Sequence, residues 1–263
     1  MDHDEFRRLV RQRGEELYRD MPWRQDTRAY YVLVSELMLQ QTQVDRVVPK
    51  FEAFVAAFPD ERMLAQASLA DVLRLWQGLG YNRRAKFLHE AAKKIVELGS
   101  FPCDEAGLVS LPGVGKNTAG AIMAYAFDRP AIFVETNVRA VYIHHFFADS
   151  DQVDDKDIRE LLEATIGREN PRAFYWALMD YGSWLKKQGV RPGRSRHYKK
   201  QSPLRGSVRE IRGQIIATLG KQDLSESQLR EKLNADERFP VALAGLQNDG
   251  LIARTEGLFH LTK

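Results

Sequence analysis

Two glutamates stand where their neighbours give a carboxylate little reason to be. Glu36 sits inside YYVLVSELMLQQTQV, and Glu135 follows the apolar AIFV and precedes TNVRAVYIHHFF. A carboxylate in such a place costs free energy unless it is paired or neutral. For Glu36, either the run turns the side chain to solvent or the charge has a task. Glu135 has two readings. One is a carboxylate at the start of a helix capped by Thr136-Asn137, favoured by the helix dipole; the other is a second active-site carboxylate.

A further stretch, LPGVGKNTAGAI at 111–122, suits a phosphate. Gly113 and Gly115 make a tight turn, and a helix starts at about Lys116. Amides exposed there, with the helix N-terminus, can bind a phosphate oxygen. A lone GxG is usually only a turn. Here Leu111 and Pro112 set the entry angle, and Thr118 with Ala119 and Gly120 lets helices pack closely. The stretch looks like a helix–hairpin–helix, a binder of the DNA backbone that ignores sequence.

The elements that must carry these residues are helical. In 1–185, apolar residues recur at three- and four-residue spacing in FRRLVRQRGEELY, YYVLVSELMLQQ, VVPKFEAFVAAF, LADVLRLWQGL and FLHEAAKKIVEL. Ser68 and Asp104 stand as helix N-caps. No period-2 run precedes residue 250, so the main domain is expected to be all-α. A basic linker, 186–206, carries eight Lys or Arg and no acid; it is either a solvated connection or a strand lying along phosphates. In 207–263, SVREIRGQIIATL, SESQLREKL (capped by Ser225) and FPVALAGLQNDG read as helices. LIARTEGLFHLT reads as a hairpin turning at Glu256-Gly257. That is a winged-helix-like module, equally a DNA binder or a docking platform.

The 263 residues are 44% apolar and 29% charged with a net charge of +3, which suits a globular chain and not a disordered polyelectrolyte. The single cysteine, Cys103, excludes a disulfide framework and any multi-cysteine zinc or iron–sulfur site. Six histidines form no ligand pattern; of His144 and His145, at least one is expected to be packed or to face DNA. With no apolar signal core and no run near about 18 apolar residues, a soluble protein without a membrane partner is expected. Its compartment is then cytoplasmic, nucleoid-associated in a bacterium or archaeon.

MPWR, YVLVSELMLQQTQV, VVPKFEAFVAAFP, LWQGLGYNRRAKFLH, LPGVGKNTAGAI and VETNVRAV occur in the order and near the spacing of one family. From Met21 to Tyr181 the chain resembles the helix–hairpin–helix DNA glycosylases, most closely the MutY adenine glycosylases. The resemblance implies a two-lobed α-helical fold with DNA bound in the cleft. It implies that Glu36 is the general acid that protonates the flipped adenine, a role that a raised carboxyl pKa serves. It also implies that Gln41 wedges into the vacated duplex, that Tyr81 inserts beside the opposing base, and that Arg24 lies near the extruded base. Trp23 and Tyr30 pack that pocket's wall. The expected partner is double-stranded DNA with a mismatched or damaged base, bound by a monomer.

Four departures qualify this. The family's aspartate, which stabilises the positive sugar, is Glu135 here, one methylene longer. Asn117 stands where bifunctional relatives keep a Schiff-base lysine, and Lys116 points about 100° away around the helix. Base excision without a lyase step is therefore expected. The relatives' four-cysteine iron–sulfur loop is missing, so no cofactor or metal is expected, and the basic linker takes its position. Finally, 207–263 is too short for the Nudix-like domain that reads 8-oxoguanine. Adenine opposite 8-oxoguanine or guanine is the leading substrate. Uracil or thymine opposite guanine, and a catalytically weak lesion-binding protein, stay open.

Overall fold

The computed structural model describes residues 1–148, 150, 152–167, 169–190 and 203–263; most of the basic linker, 191–202, lies outside them. Along the chain run α1 (His3–Glu16), α2 (Pro22–Gln25), α3 (Ala29–Leu39), α4 (Val44–Ala57), α5 (Glu61–Gln66), α6 (Leu69–Trp76), α7 (Arg83–Leu98), α8 (Glu105–Val109) and α9 (Lys116–Phe127). Then come α10 (Thr136–Phe146), α11 (Asp155–Thr165), α12 (Pro171–Lys187), α13 (Val208–Leu219), β1 (Leu224–Ser225), α14 (Glu226–Lys232), α15 (Phe239–Asn248), β2 (Ile252–Thr255) and β3 (Leu258–Leu261). Among the described residues no helix is long and apolar enough to cross a membrane.

The local signals act as their chemistry dictates. Ser68 accepts from the Asp71 amide at 3.1 Å and Asp104 from that of Gly107 at 2.8 Å. Each satisfies an amide that the first helical turn leaves orphaned. Ser225 forms a full capping box with Gln228. Glu256 and Gly257 both have positive φ, the backbone a two-residue hairpin turn needs. The main domain is all-α among the described residues, and the one strand before residue 250 among them lies in the C-terminal module. The two-residue β1 pairs antiparallel with β3, which also pairs with β2. Two residues are too few to show a period.

The described residues form two compact units. The first gathers 1–32, 102–110 and 114–190, the second 33–101, 111–113 and 203–263. The C-terminal module, which sequence sets apart at 207–263, thus shares a unit with α4 to α7. In the first unit α12 packs on α1 and α10, and Phe6 meets Tyr142 and Phe146 at 5.0 and 4.9 Å between ring centres. His145 is packed there with Nε2 2.9 Å from Tyr181 Oη, and burial pushes its pKa down to about 4; His144 is exposed. In the second unit α6 and α7 enclose Trp76 and Leu88, both fully buried.

Close helix approach in the first unit depends on one absent side chain. A Cβ at Gly182 of α12 would lie 2.3 Å from the Asn137 carbonyl oxygen of α10, a backbone atom that cannot swing aside. Gly182→Ala is expected to destabilise the protein by about 1–3 kcal/mol, the usual cost of overpacking. A fall in the thermal unfolding midpoint checks this.

Candidate active site

Glu36 occupies the last turns of α3, half-buried, while Val32, Leu33, Val34, Ser35, Leu37 and Met38 around it are buried. The helix is apolar nearly all round, so Glu36 is not on a solvent face. Beyond α3, Gln41 sits at φ 60° and, further on, Tyr81 at φ 47°. Both are exposed and both belong to the second unit. Left-handed backbone is uncommon for non-glycine residues and is strained unless the surroundings enforce it.

Arg84 enforces it. Its side chain is buried in the first turn of α7. Nη1 donates to the carbonyls of Leu37 (2.7 Å), Met38 (3.0 Å) and Gln40. Nη2 donates to Thr42 Oγ1 (3.1 Å) and to the carbonyls of Leu79 and Gly80 (both 3.2 Å). One guanidinium therefore closes the C-terminus of α3, where carbonyls lack helical partners, and ties it to the loop before Tyr81. Its plane lies near the rings of Trp76 and Tyr81, at 5.5 and 5.4 Å. Burial pushes its pKa down to about 10, so it remains a cation at neutral pH. Trp76 Nε1 adds a bond to the Gly80 carbonyl at 3.1 Å.

In the first unit, Glu135 ends an extended segment pinned residue by residue. Tyr175 Oη donates to the Ala131 carbonyl (2.7 Å) and accepts from the Phe133 amide (3.2 Å). Phe133 stacks on the Tyr175 ring at 3.9 Å. Arg159 donates to the Ile132 carbonyl (3.1 Å) and to Asn117 Oδ1 (3.3 Å), and Asn117 Nδ2 donates to the Val134 carbonyl (3.1 Å). Asn117 thus positions the segment that delivers Glu135. Glu135 takes the N-cap position of α10, with Thr136 and Asn137 already inside the helix and not its cap. Its side chain keeps a part-exposed edge but is crowded by protein on nearly every side. Burial raises its pKa, and the Arg139 charge opposes this only in part. Arg139 is itself engaged by Asp155 at 2.7 and 2.6 Å.

The remaining site residues fall into place separately. Gly113 has φ 78°, and a Cβ there would stand 2.7 Å from Phe87 Cβ, so the fold itself demands glycine. Gly115 has ordinary φ and open space around its Cβ position. Nothing in the fold requires glycine there, and glycine leaves its backbone open to solvent. It is the N-cap of α9 with no side-chain cap; Lys116 is exposed and Thr118 half-buried. Arg24 is enclosed in the first unit: Asp180 accepts from its Nη1 and Nη2 at 2.7 and 3.1 Å, and Arg19 shares Asp180 at 2.6 Å. Tyr18 and Trp176 flank its guanidinium. This is an anchoring role that sequence does not reveal. Trp23 and Tyr30 are buried.

Sequence reading missed Arg84, Arg159, Tyr175 and Asp180. Arg84 had a signal: it heads the apolar stripe of Leu88, Ala91, Ala92 and Ile95 on α7. Asp180 had a weaker one, an acid inside AFYWALMDYGSW. An iron–sulfur cluster needs several thiolates, whereas the one cysteine, Cys103, is exposed. No group of three His, Cys, Asp or Glu could hold a metal among the described residues. The donor set does not fit a cluster.

Residues 34–167 match the model of the HhH-GPD superfamily base excision DNA repair protein. The chain is 36% identical over 171 residues to the adenine DNA glycosylase of Buchnera aphidicola subsp. Baizongia pistaciae, covering 63% of this chain and 48% of that one. It thus spans about half the length of the first curated relatives it matches. With the adenine DNA glycosylase of Mycobacterium tuberculosis it is 33% identical over 276 aligned positions, covering 93% of this chain and 89% of the other. Among solved structures, a thermostable thymine-DNA glycosylase superposes with a TM-score of 0.62 at 26% identity, covering 68% of this chain and 87% of that one.

Arg84→Met should leave the carbonyls it serves buried and unpaired, lowering stability by about 3–5 kcal/mol. Arg84→Lys should recover little, because an ammonium cannot span both loops as a planar fork does. Denaturant unfolding measures the loss, and amide exchange should rise first at 39–42 and 79–82.

Proposed function

The chain belongs to the HhH-GPD superfamily of base excision DNA repair proteins, on its MutY-like branch, and on that footing we propose that it is a monofunctional DNA glycosylase. Its proposed substrate is adenine paired with 8-oxoguanine or guanine in duplex DNA. The observation that supports the reading is Glu135, a crowded carboxylate on a pinned backbone, of the kind this chemistry would use as a fixed negative charge. The name of its relatives supplies the base.

The proposed chemistry uses the chain's own residues. The target nucleotide leaves the stack at a cost of a few kcal/mol, offset by Gln41 filling the gap and Tyr81 inserting beside the opposing base. Glu36 gives its proton to a ring nitrogen of the base. The bond between C1′ and the base nitrogen breaks, and its electron pair leaves with the base. Glu135, ionised, faces the positive sugar, as a fixed counter-charge in a dry site. Water then adds at C1′ and gives up a proton to a carboxylate, leaving an abasic site. Asn117 has no amine to attack C1′, and its amide already serves the Val134 carbonyl; Lys116 is exposed on α9. No lyase step follows. Gly115 and the first turn of α9 grip a backbone phosphate. No step runs through an iron–sulfur cluster, whose ligands the chain lacks.

Thymine or uracil opposite guanine is the second reading, favoured by the likeness to the thymine-DNA glycosylase. Single-turnover base release decides between them, read with and without alkali on A opposite 8-oxoguanine, A opposite G, U opposite G and T opposite G. Adenine release that appears as strand cleavage only after alkali is the expected outcome. Glu36→Gln and Glu135→Gln should each lower the rate by roughly 10²–10³-fold, the scale set by losing one preorganised charge contact. Release of thymine or uracil instead would replace the substrate, and duplex binding without release would leave a lesion-binding protein.

The raised pKa of Glu135 gives a pH test. Its function needs the ionised form, so the rate should fall as pH drops through a pKa above the usual 4.5. An acid limb centred below 4.5 would contradict that role.

A further inference from the structure

Tyr81 is held by a second arginine, from the C-terminal module. Arg209 of α13 donates through Nη1 to Tyr81 Oη at 2.5 Å, and its guanidinium lies 5.2 Å from the ring centre. This contact sits beside a seat built for the module on α6 and α7. The Asp249 carboxylate accepts from Arg212 at 2.5 Å and faces Arg83 at 3.5 Å, and its carbonyl accepts from Lys86 at 2.8 Å. Arg74 donates to the Gly220 carbonyl at 3.0 Å. Glycines stand at both seams: a Cβ at Gly250 would be 2.9 Å from Lys86 Nζ, and one at Gly220 would be 2.9 Å from Gln77 Nε2.

We infer that the C-terminal module acts through Arg209 as a positioning device for Tyr81 and so tunes discrimination of the base opposite the excised one. This rests on the proposed reading of Tyr81 as the aromatic beside that base. A phenol on an exposed loop samples several ring orientations. Arginine is only a donor, so its bond occupies the phenol oxygen and turns the O–H outward, toward an acceptor on DNA. Because Arg209 belongs to another part of the chain, the ring's orientation depends on how the module is seated.

The test is equilibrium binding to duplexes carrying a tetrahydrofuran abasic analogue opposite 8-oxoguanine, guanine or cytosine, which requires no base release. Native protein, Arg209→Ala, Arg209→Lys, Tyr81→Phe and the Arg209→Ala/Tyr81→Phe double variant are compared. Arg209→Ala and Tyr81→Phe should each shrink the ratio between best and worst opposite base by roughly three- to tenfold. The double variant should shrink it no further, as for residues acting through one contact, and Arg209→Lys should restore part of it. The unfolding midpoint of Arg209→Ala should move by less than about 3 °C, since exposed polar contacts add little stability. Equal weakening on all three duplexes, with a salt slope smaller by about 1, would mean that Arg209 is a phosphate contact and would overturn the inference. So would multiplicative effects in the double variant, or a native ratio of one. Absence of glycosylase turnover would sink the proposed activity and leave this result to stand or fall alone.

Discussion

One buried cation organises the second unit. Arg84 replaces what two loop backbones lack: partners for carbonyls at the end of α3 and for those of Leu79 and Gly80. Without it, neither Gln41 nor Tyr81 has reason to stay in left-handed backbone. The same guanidinium lies near the Tyr81 ring, so a single side chain fixes the path of both loops and supports the base of the residue that Arg209 also contacts. A charge in the core is costly unless its donors are used; of the three Arg84 nitrogens, Nε alone has no acceptor among the described residues.

The first unit solves a parallel problem with neutral groups and one arginine. Tyr175, Asn117 and Arg159 grip the carbonyls of 131, 132 and 134, so Glu135 leaves a backbone with little freedom. That bears on its extra methylene. A longer arm on a loose backbone wanders; on a fixed one it ends at a defined, though displaced, point. Asn117 is part of that support, its amide bonded to the Val134 carbonyl and to Arg159.

Much of this was legible in residues whose partners are local. Ser68, Asp104 and Ser225 cap helices because their partners lie three residues on, and Glu256-Gly257 turns because glycine permits it. The motifs around Glu36, Gln41, Tyr81 and Glu135 were visible as strings. What could not be read were contacts to groups without identity or distant in the chain. The partners of Arg84 are mostly carbonyls, which every residue has. Asp180 meets Arg24 across 156 positions. Gly113 and Gly115 look alike in sequence, and only the packing of Phe87 separates the one the fold requires from the one it does not. The strain at Gln41 and Tyr81 was hidden because neither residue type favours positive φ.

The account stands or falls on base extrusion by a prearranged protein. The direct measurement is stopped-flow fluorescence of 2-aminopurine at the adenine position, mixed with the Glu36→Gln protein so that the base stays attached. A rise in fluorescence when the probe faces 8-oxoguanine or guanine, absent when it faces thymine, is the predicted result. Tight binding to all these duplexes with no rise on any of them would contradict it.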